Sequence, residues 1–83
     1  MARVVPGVRA FLRFDYEDTG AVMRILDATG ARRGSEKYDD GPELEVEVAR
    51  RDMERMTRLL QDSTAGRAQV HIGDGLVLIR LRS

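Results

Sequence analysis

Apolar and polar residues alternate along three stretches of the chain, and this period of two is typical of half-buried β-strands. The stretches are residues 8–14 (VRAFLRF), 43–48 (ELEVEV) and 67–72 (RAQVHI). In two further stretches, 21–30 and 50–62, apolar residues recur at spacings of three and four, which predicts amphipathic helices. The positions predicted to face the core are Val8, Ala10, Leu12, Phe14, Val22, Ile25, Leu26, Thr29, Leu44, Val46, Val48, Ala49, Met53, Met56, Leu59, Leu60, Ala68, Val70 and Ile72.

Capping and turn-forming residues separate these elements. Asp18 or Thr19 can cap the N-terminus of the first helix, and Gly30 suits the left-handed position that follows the end of a helix. The sequence DDGP at 39–42 predicts a turn. The polar stretch 31–38 comes just before this turn, and we therefore expect it to be an edge strand that pairs with the strand that follows.

The two ends of the chain carry weaker patterns. Asp74 and Gly75 form a dipeptide that is typical of tight β-hairpins. The apolar stretch 76–82 (LVLIRLR) follows it, so we predict an extra strand that returns beside the strand at 67–72. Residues 1–7 show no clear pattern, and we predict a flexible tail there.

The predicted order of elements is β-α-β-β-α-β with a terminal hairpin strand. This order is that of the ferredoxin-like split βαβ fold, of class α+β. We expect a four-stranded antiparallel sheet with both helices on one face and the other face open. Residues 8–83 are predicted to form a single domain.

Composition narrows the class of protein. A chain of 83 residues makes one small domain, and its 14 basic and 14 acidic residues cancel. Zero net charge gives no overall attraction to nucleic acid or anionic lipid, so any charged partner must bind a local patch. The chain has no cysteine, no apolar run long enough to span a bilayer and no secretory signal at its N-terminus. We therefore expect a cytoplasmic protein that makes no membrane contact.

Arginines and glutamates dominate the open face of the predicted sheet. Arg9 and Arg13 lie on the outward side of the first strand, and Glu43, Glu45 and Glu47 on the outward side of the third. If these strands are neighbours, opposite charges across them stabilise the sheet by about 0.2–1 kcal/mol per pair. The glutamate row is therefore predicted to be a solvated, charge-paired face.

No pattern in the chain predicts catalysis. His71 is the single histidine, and without cysteines or a second histidine it is a poor metal ligand. Asp39 and Asp40 suit a turn better than a metal site. Phe11 is the only outward aromatic residue on the central strands, too few for the base-stacking surface of an RRM domain. We expect a non-enzymatic protein with no catalytic residues, metal or cofactor.

The second helix is the best candidate for a binding surface. Arg51, Arg55 and Arg58 stand at i, i+4 and i+7, on the side opposite the methionines, and Arg67 follows the end of the helix. Such a row can bind phosphates or an acidic protein surface. The alternative is a solvated helix, because acidic residues are interspersed and Glu54 can pair with Arg58 at i+4.

The terminal strand at 76–82 is apolar on both faces. Val77, Ile79 and Leu81 point to one side, and Leu76 and Leu78 to the other. Two alternatives stay open: both faces are covered within the domain, or the second face meets another chain or domain. In the second case Leu76 and Leu78 are the interface residues of a homodimer or of a docking site for a missing domain.

A series of short motifs runs through about residues 10–72. It begins with an aromatic, acidic segment, continues with a leucine and a glycine that close the first helix, and ends with two leucines at the end of the second helix. The motif residues are Asp15, Tyr16, Asp18, Gly20, Leu26, Gly30, Tyr38, Asp39, Val46, Leu59, Leu60, Asp62, Thr64 and Gly66. In this order and spacing they resemble the C-terminal domain of the YigZ/IMPACT family.

This resemblance implies a ferredoxin-like accessory domain without catalytic residues of its own. It also implies contact with RNA, the ribosome or a translation-linked protein. The larger N-terminal domain of that family has no counterpart in this chain, so the chain is expected to be a cut-out domain. The rival interpretation is a small-ligand sensor of the ACT type or a purely dimerising domain, because these share the predicted topology.

Overall fold

The computed structural model describes residues 2–38, 41–73 and 77–82. Five strands and two helices, with one turn of 3₁₀-helix, make up the described chain. In chain order they are β1 (Ala2–Arg13), the 3₁₀ turn (Tyr16–Asp18), α1 (Thr19–Ala28), β2 (Arg32–Lys37), β3 (Glu43–Ala49), α2 (Arg50–Ser63), β4 (Gln69–Ile72) and β5 (Val77–Arg82).

The five strands form one antiparallel sheet in the order β2-β3-β1-β4, and β5 also pairs with β1. The predicted α+β class is therefore confirmed, with the ferredoxin-like split βαβ arrangement and one extra strand. The polar edge strand predicted at 31–38 is present as β2, which pairs with β3. Both helices contribute to a single core against one face of the sheet.

The core consists of the apolar residues that the period-two and helical patterns selected. Leu12, Leu44 and Val46 from the sheet are at most 2% exposed, and they belong to the same cluster as Met56 and Leu60 of α2. Burying one such side chain contributes about 1.5–3 kcal/mol. Ile72 is an exception, because this predicted core residue is 66% exposed.

The end of α1 follows the predicted glycine signal. Gly30 has φ +70°, its N–H donates to the Asp27 carbonyl at 3.3 Å, and the Ala31 N–H donates to the Leu26 carbonyl at 2.9 Å. These two bonds satisfy carbonyls that the last turn of a helix leaves without partners. The start of α1 differs from expectation, since Asp18 occupies the cap position but makes no side-chain capping bond.

The loop after α2 is held by two side chains of the helix end. The Thr64 hydroxyl donates to the Leu60 carbonyl at 2.8 Å and accepts the Ala68 N–H at 3.0 Å. The Gln61 amide donates to the Ala68 carbonyl at 2.9 Å. Both backbone groups of Ala68 are thus bonded, which fixes the path of Arg67 between the helix and β4.

The prediction of a flexible tail at residues 1–7 is wrong for residues 2–7. These residues extend β1 and pair with β5, from Ala2 opposite Arg82 to Gly7 opposite Val77. The sequence pattern did not predict a strand here because proline and glycine, at positions 6 and 7, usually interrupt a sheet. Here Pro6 lies beyond the end of β3, so it removes no bond to that strand. A Cβ at position 7 would overlap the Ile79 side chain, so a larger residue there would force Ile79 to shift.

The extra strand β5 is confirmed, but the predicted hairpin with β4 is wrong. Both β4 and β5 run antiparallel to β1 and pair with different segments of it. The two strands therefore run in the same direction and continue along β1 instead of turning back on each other. β5 pairs with β1 because β1 is longer than the sequence patterns predicted, and its N-terminal half is available as a partner strand. The turns predicted at Asp39–Asp40 and Asp74–Gly75 lie outside the described residues.

Candidate binding surfaces

The arginine surface of α2 consists of Arg51, Arg55 and Arg58. All three residues are exposed and lie on the side of the helix opposite the buried Met56 and Leu60. At a rise of 1.5 Å per residue, the row spans about 10 Å along the helix axis. The structure therefore brings these three predicted residues together on one solvent-facing strip.

Carboxylates neutralise this arginine surface only in part. The Arg58 Nη2 lies 2.9 Å from the Glu54 Oε1, and the Arg51 Nε lies 3.8 Å from the Asp52 Oδ2. Within the part of the chain that the structure describes, Arg55 makes no ion pair. Exposed ion pairs contribute little, about 0–1 kcal/mol, because water solvates both partners well. An incoming anion can therefore displace the carboxylates at low cost.

Arg67, the fourth predicted residue, lies apart from this surface and has its own partner. Its Nη2 donates to the Asp18 Oδ1 at 2.9 Å and its Nε to the Asp18 Oδ2 at 3.3 Å. The Asp15 carboxylate approaches the same Nε at 3.7 Å. The hydrogen bond and charge of Asp18 raise the pKa of Arg67 above its usual value. This contact links the 3₁₀ turn before α1 to the loop after α2.

Asp18 was predicted to cap α1, whereas the structure assigns its carboxylate to Arg67. The Asp18 side chain is only 8% exposed, and a buried charge requires an ionic or hydrogen-bonded partner. Sequence reasoning missed the contact because 49 positions separate the two residues. The buried carboxylate of Asp18, at the start of α1, needs a positively charged partner, and this need explains why Arg67 is held against it.

The open face of the sheet has the predicted charge pairing. Arg9 lies opposite Glu47 and Arg13 opposite Glu43 in the register of β1 and β3. The Arg9 Nε lies 3.1 Å from the Glu45 Oε1 and its Nη2 3.5 Å from the Glu47 Oε2. The Arg13 Nε lies 4.0 Å from the Glu43 Oε2. The glutamate row is therefore a charge-paired face, as predicted.

A shallow depression of about 160 Å³ lies on this open face. Phe11 and Glu45, which are opposite each other, line it together with Ser35 of β2. His71 lies across from Phe11 on the other side of β1 and is exposed. The histidine thus neighbours an aromatic ring in the register and not a carboxylate that could orient it for acid–base chemistry.

An apolar surface extends along the β1–β5 pair. Val4 is 57% exposed and Leu78 is 65% exposed. Leu78 lies opposite Pro6, and alternate residues of one strand share a face, so Val4 and Pro6 lie on the same face as Leu78. The opposite side of β5 is covered within the domain, since Ile79 is only 3% exposed. Leu76, the other predicted interface residue, lies outside the described residues.

A pair of exposed tyrosines lies at the end of the sheet where β1 and β2, on either side of β3, both terminate. The Tyr16 and Tyr38 rings stack with centroids 6.2 Å apart and planes 12° from parallel. Tyr16 is 64% exposed and Tyr38 54% exposed. The Tyr38 hydroxyl donates to the Glu36 Oε2 at 3.0 Å. This hydrogen bond to a carboxylate raises the pKa of Tyr38.

The sequence patterns did not find this tyrosine pair, because Tyr16 and Tyr38 entered only as motif positions of the YigZ/IMPACT resemblance. The signal that predicts it is topological. Both β1 and β2 pair antiparallel with β3, so they run in the same direction. Residues that follow the two strands therefore come to the same end of the sheet.

Comparison with known proteins adds no relatives, since no family model and no curated protein matches the chain. Neither helix of the described chain is long and apolar enough to cross a membrane. Among the same residues, no group of three or more histidine or acidic side chains is arranged to hold a metal ion.

Proposed function

We propose that this protein is a non-enzymatic interaction domain of the YigZ/IMPACT type that binds RNA through the arginine surface of α2. The observation that carries the proposal is the exposed row of Arg51, Arg55 and Arg58, in which Arg55 has no carboxylate partner among the described residues. Guanidinium groups bind phosphate in two-pronged geometry and stay charged at all physiological pH values.

Arginine spacing supports phosphate contact. Three guanidinium groups within about 10 Å on a rigid helix can reach successive phosphates of one strand. In our proposal Arg67 does not contact RNA directly, because its guanidinium is already bonded to the Asp18 carboxylate. It fixes the loop after α2, while the three helix arginines contact the nucleic acid.

The proposal assigns structural roles to the polar side chains that sequence reasoning weighed for catalysis. His71 is exposed and lies opposite Phe11, and the carboxylates of the open face pair with Arg9 and Arg13. Those contacts stabilise the sheet.

RNA binding at two salt concentrations tests the proposal. We expect the protein to bind single-stranded RNA at about 50 mM salt and to lose affinity steeply by about 200 mM, because each phosphate contact releases counterions. Replacing Arg51, Arg55 and Arg58 by Gln is expected to flatten the dependence of log affinity on log salt by roughly 2, at about 0.7 per contact.

The matched control is Arg24→Gln. Arg24 is an exposed arginine of α1, and among the described residues its Nε donates to the Gly20 carbonyl at 3.5 Å, so its removal changes the net charge without altering α2. Equal losses in the control and in an Arg55→Gln variant would show a non-specific charge effect. No RNA binding at the lower salt concentration would rule the proposal out.

The exposed apolar surface of β1 and β5 favours a second candidate, a purely dimerising domain. Leu78 and Val4 are more than half exposed, and a two-stranded ribbon is marginally stable in water unless its apolar face is packed. Sedimentation of the full chain tests this candidate: a dimer that becomes a monomer in Leu78→Glu supports it. A wild-type monomer at all accessible concentrations rejects it.

A further inference from the structure

We propose that the tyrosine pair, Tyr16 and Tyr38, is a binding site for an arginine side chain of a basic partner peptide. The proposal rests on a surface separate from α2, so it stands or falls independently of RNA binding. Three features carry it: two stacked and exposed rings, the charge around them, and the way this end of the molecule already holds a guanidinium.

The first feature is the exposure of the rings. Each tyrosine is more than half exposed, and the two rings lie nearly parallel with centroids 6.2 Å apart. The negative faces of tyrosine rings attract cations, with arginine preferred because its planar group also stacks on the ring. The hydrogen bond from Tyr38 to Glu36 fixes one ring in place, so the site is partly ordered before a ligand arrives.

The second feature is the charge around the rings. Asp15 and Glu17 flank Tyr16 in the chain, and both are exposed. The Glu36 carboxylate accepts a hydrogen bond from the Tyr38 hydroxyl, and the exposed Lys37 between them in the chain offsets part of this negative charge. Among the described residues, neither Glu17 nor Glu36 pairs with a lysine or arginine. Local negative charge of this kind attracts a cation and repels a phosphate backbone.

The third feature is an internal precedent. Arg67 already presents its guanidinium to Asp18 and Asp15 at this end of the molecule, at 2.9 Å and 3.7 Å. The carboxylates around Tyr16 are therefore arranged to accept a guanidinium. In this proposal Glu17 and Glu36 bind a second guanidinium, which a partner contributes and which stacks on the tyrosines.

Charge complementarity decides between two ligands that stack on aromatic rings. Nucleic-acid bases also stack on exposed tyrosines, but their phosphates would meet Asp15, Glu17 and Glu36. An arginine side chain gains from both the rings and the carboxylates. The structure therefore favours a basic peptide, and a nucleic acid becomes an outcome that the experiment must be able to detect.

The test uses the full chain and three short blocked peptides that are identical except for arginine, lysine or neutral citrulline at one position. Tyr16 and Tyr38 are the only tyrosines and the chain has no tryptophan, so intrinsic tyrosine emission reports directly on the site. We expect a saturable change with the arginine peptide, a weaker one with lysine and none with citrulline.

Variants then locate the binding. Tyr16→Leu and Tyr38→Leu are each expected to weaken arginine-peptide binding roughly 2- to 5-fold, measured by amide NMR shifts because each variant loses one of the two emitting rings. Tyr38→Phe keeps the ring but loses the hydrogen bond to Glu36, and it is expected to weaken binding less than Tyr38→Leu. Arg55→Gln on α2 is the control that should leave it unchanged.

Three results would overturn the proposal. The citrulline peptide could bind as well as the arginine peptide, or both leucine variants could retain wild-type affinity. In the third, a short single-stranded oligonucleotide would perturb the tyrosine emission where the arginine peptide does not, which would identify a base-stacking surface. Unfolding midpoints of the leucine variants, expected to stay near wild type because both rings are exposed, would exclude loss of the fold as the cause.

Discussion

The arginine surface of α2 and the tyrosine pair are both exposed, but they arise in different ways and carry opposite local charge. Arg51, Arg55 and Arg58 come from one helix and lie together because the helix repeats every 3.6 residues. Tyr16 and Tyr38 come from segments that follow two different strands. The zero net charge of the chain therefore conceals a basic region and an acidic, aromatic region that suit different partners.

Removing Leu60 is expected to abolish both regions together and to have the largest effect. Leu60 is fully buried, and Leu→Ala in a packed core costs about 2–5 kcal/mol. A small domain has little stability to spare, so urea denaturation should show a large loss. Leu59→Ala, at a partly buried position, serves as the matched control and should cost less. Equal losses would contradict the assigned core.

Reversing one charge in each region should separate them. Arg55→Glu is expected to weaken RNA binding strongly while leaving arginine-peptide binding intact, because it places a negative charge within the arginine surface of α2 only. Glu17→Lys is expected to weaken peptide binding and to leave the α2 surface unchanged. Binding assays with both ligands on both variants make this comparison. If either variant impaired both activities, the two regions would not be independent sites.

Breaking the Asp18–Arg67 contact should affect the aromatic region more than α2. In Asp18→Asn the buried group loses its charge and Arg67 loses its partner, so we expect a lower melting temperature and altered Tyr16 emission. A double-mutant cycle with Arg67→Gln is expected to show coupling, because the two side chains contact each other. The same cycle with the exposed Asp62→Asn should show none. A coupling of zero for Asp18 would argue against the contact.

The smallest expected effect is a shift in the titration of Tyr38. In a Tyr16→Phe variant, Tyr38 is the only tyrosine, and ultraviolet absorbance should show its pKa above the usual value of 10.0. Glu36→Gln should lower that pKa, because the carboxylate acceptor is lost. An unchanged midpoint in Glu36→Gln would show that this hydrogen bond does not form in solution.

This shift also predicts the direction of a pH effect on stability. The pKa of Tyr38 is higher in the folded state than in the unfolded chain, so the folded state favours the protonated phenol. Its contribution to stability is fully present below the unfolded pKa and is lost as the pH rises through the folded pKa. Thermal unfolding of the wild type and of Tyr38→Phe across that alkaline range measures the difference.

Several features of the fold were predicted from local patterns. The alternation at 43–48 gave β3, and the helical spacing gave α1 and α2 with Met56 and Leu60 inward. Gly30 ended α1 as expected, through its positive φ. These predictions succeeded because backbone geometry imposes a fixed period on each element. A glycine at a helix end likewise acts locally, by adopting the positive φ that ends the helix.

The same local patterns did not predict how distant strands pair. Residues 2–7 looked like a tail because Pro6 and Gly7 interrupt most strands, yet β5 supplies a partner for them. The predicted hairpin failed because β5 found β1 instead of β4. Ile72 followed the inward pattern of its strand but is exposed. The first two outcomes depended on which strand lay alongside β1.

The sequence by itself determined most of the elements, most of the core positions and the three arginines on one side of α2, because these depend on the repeat of a single helix or strand. Only the tertiary structure decided the stacking of Tyr16 on Tyr38, the contact between Asp18 and Arg67, and the pairing of β5 with β1. The physical reason is that these contacts join segments far apart in the chain. Strand order and register, set by packing of the whole domain, bring them together.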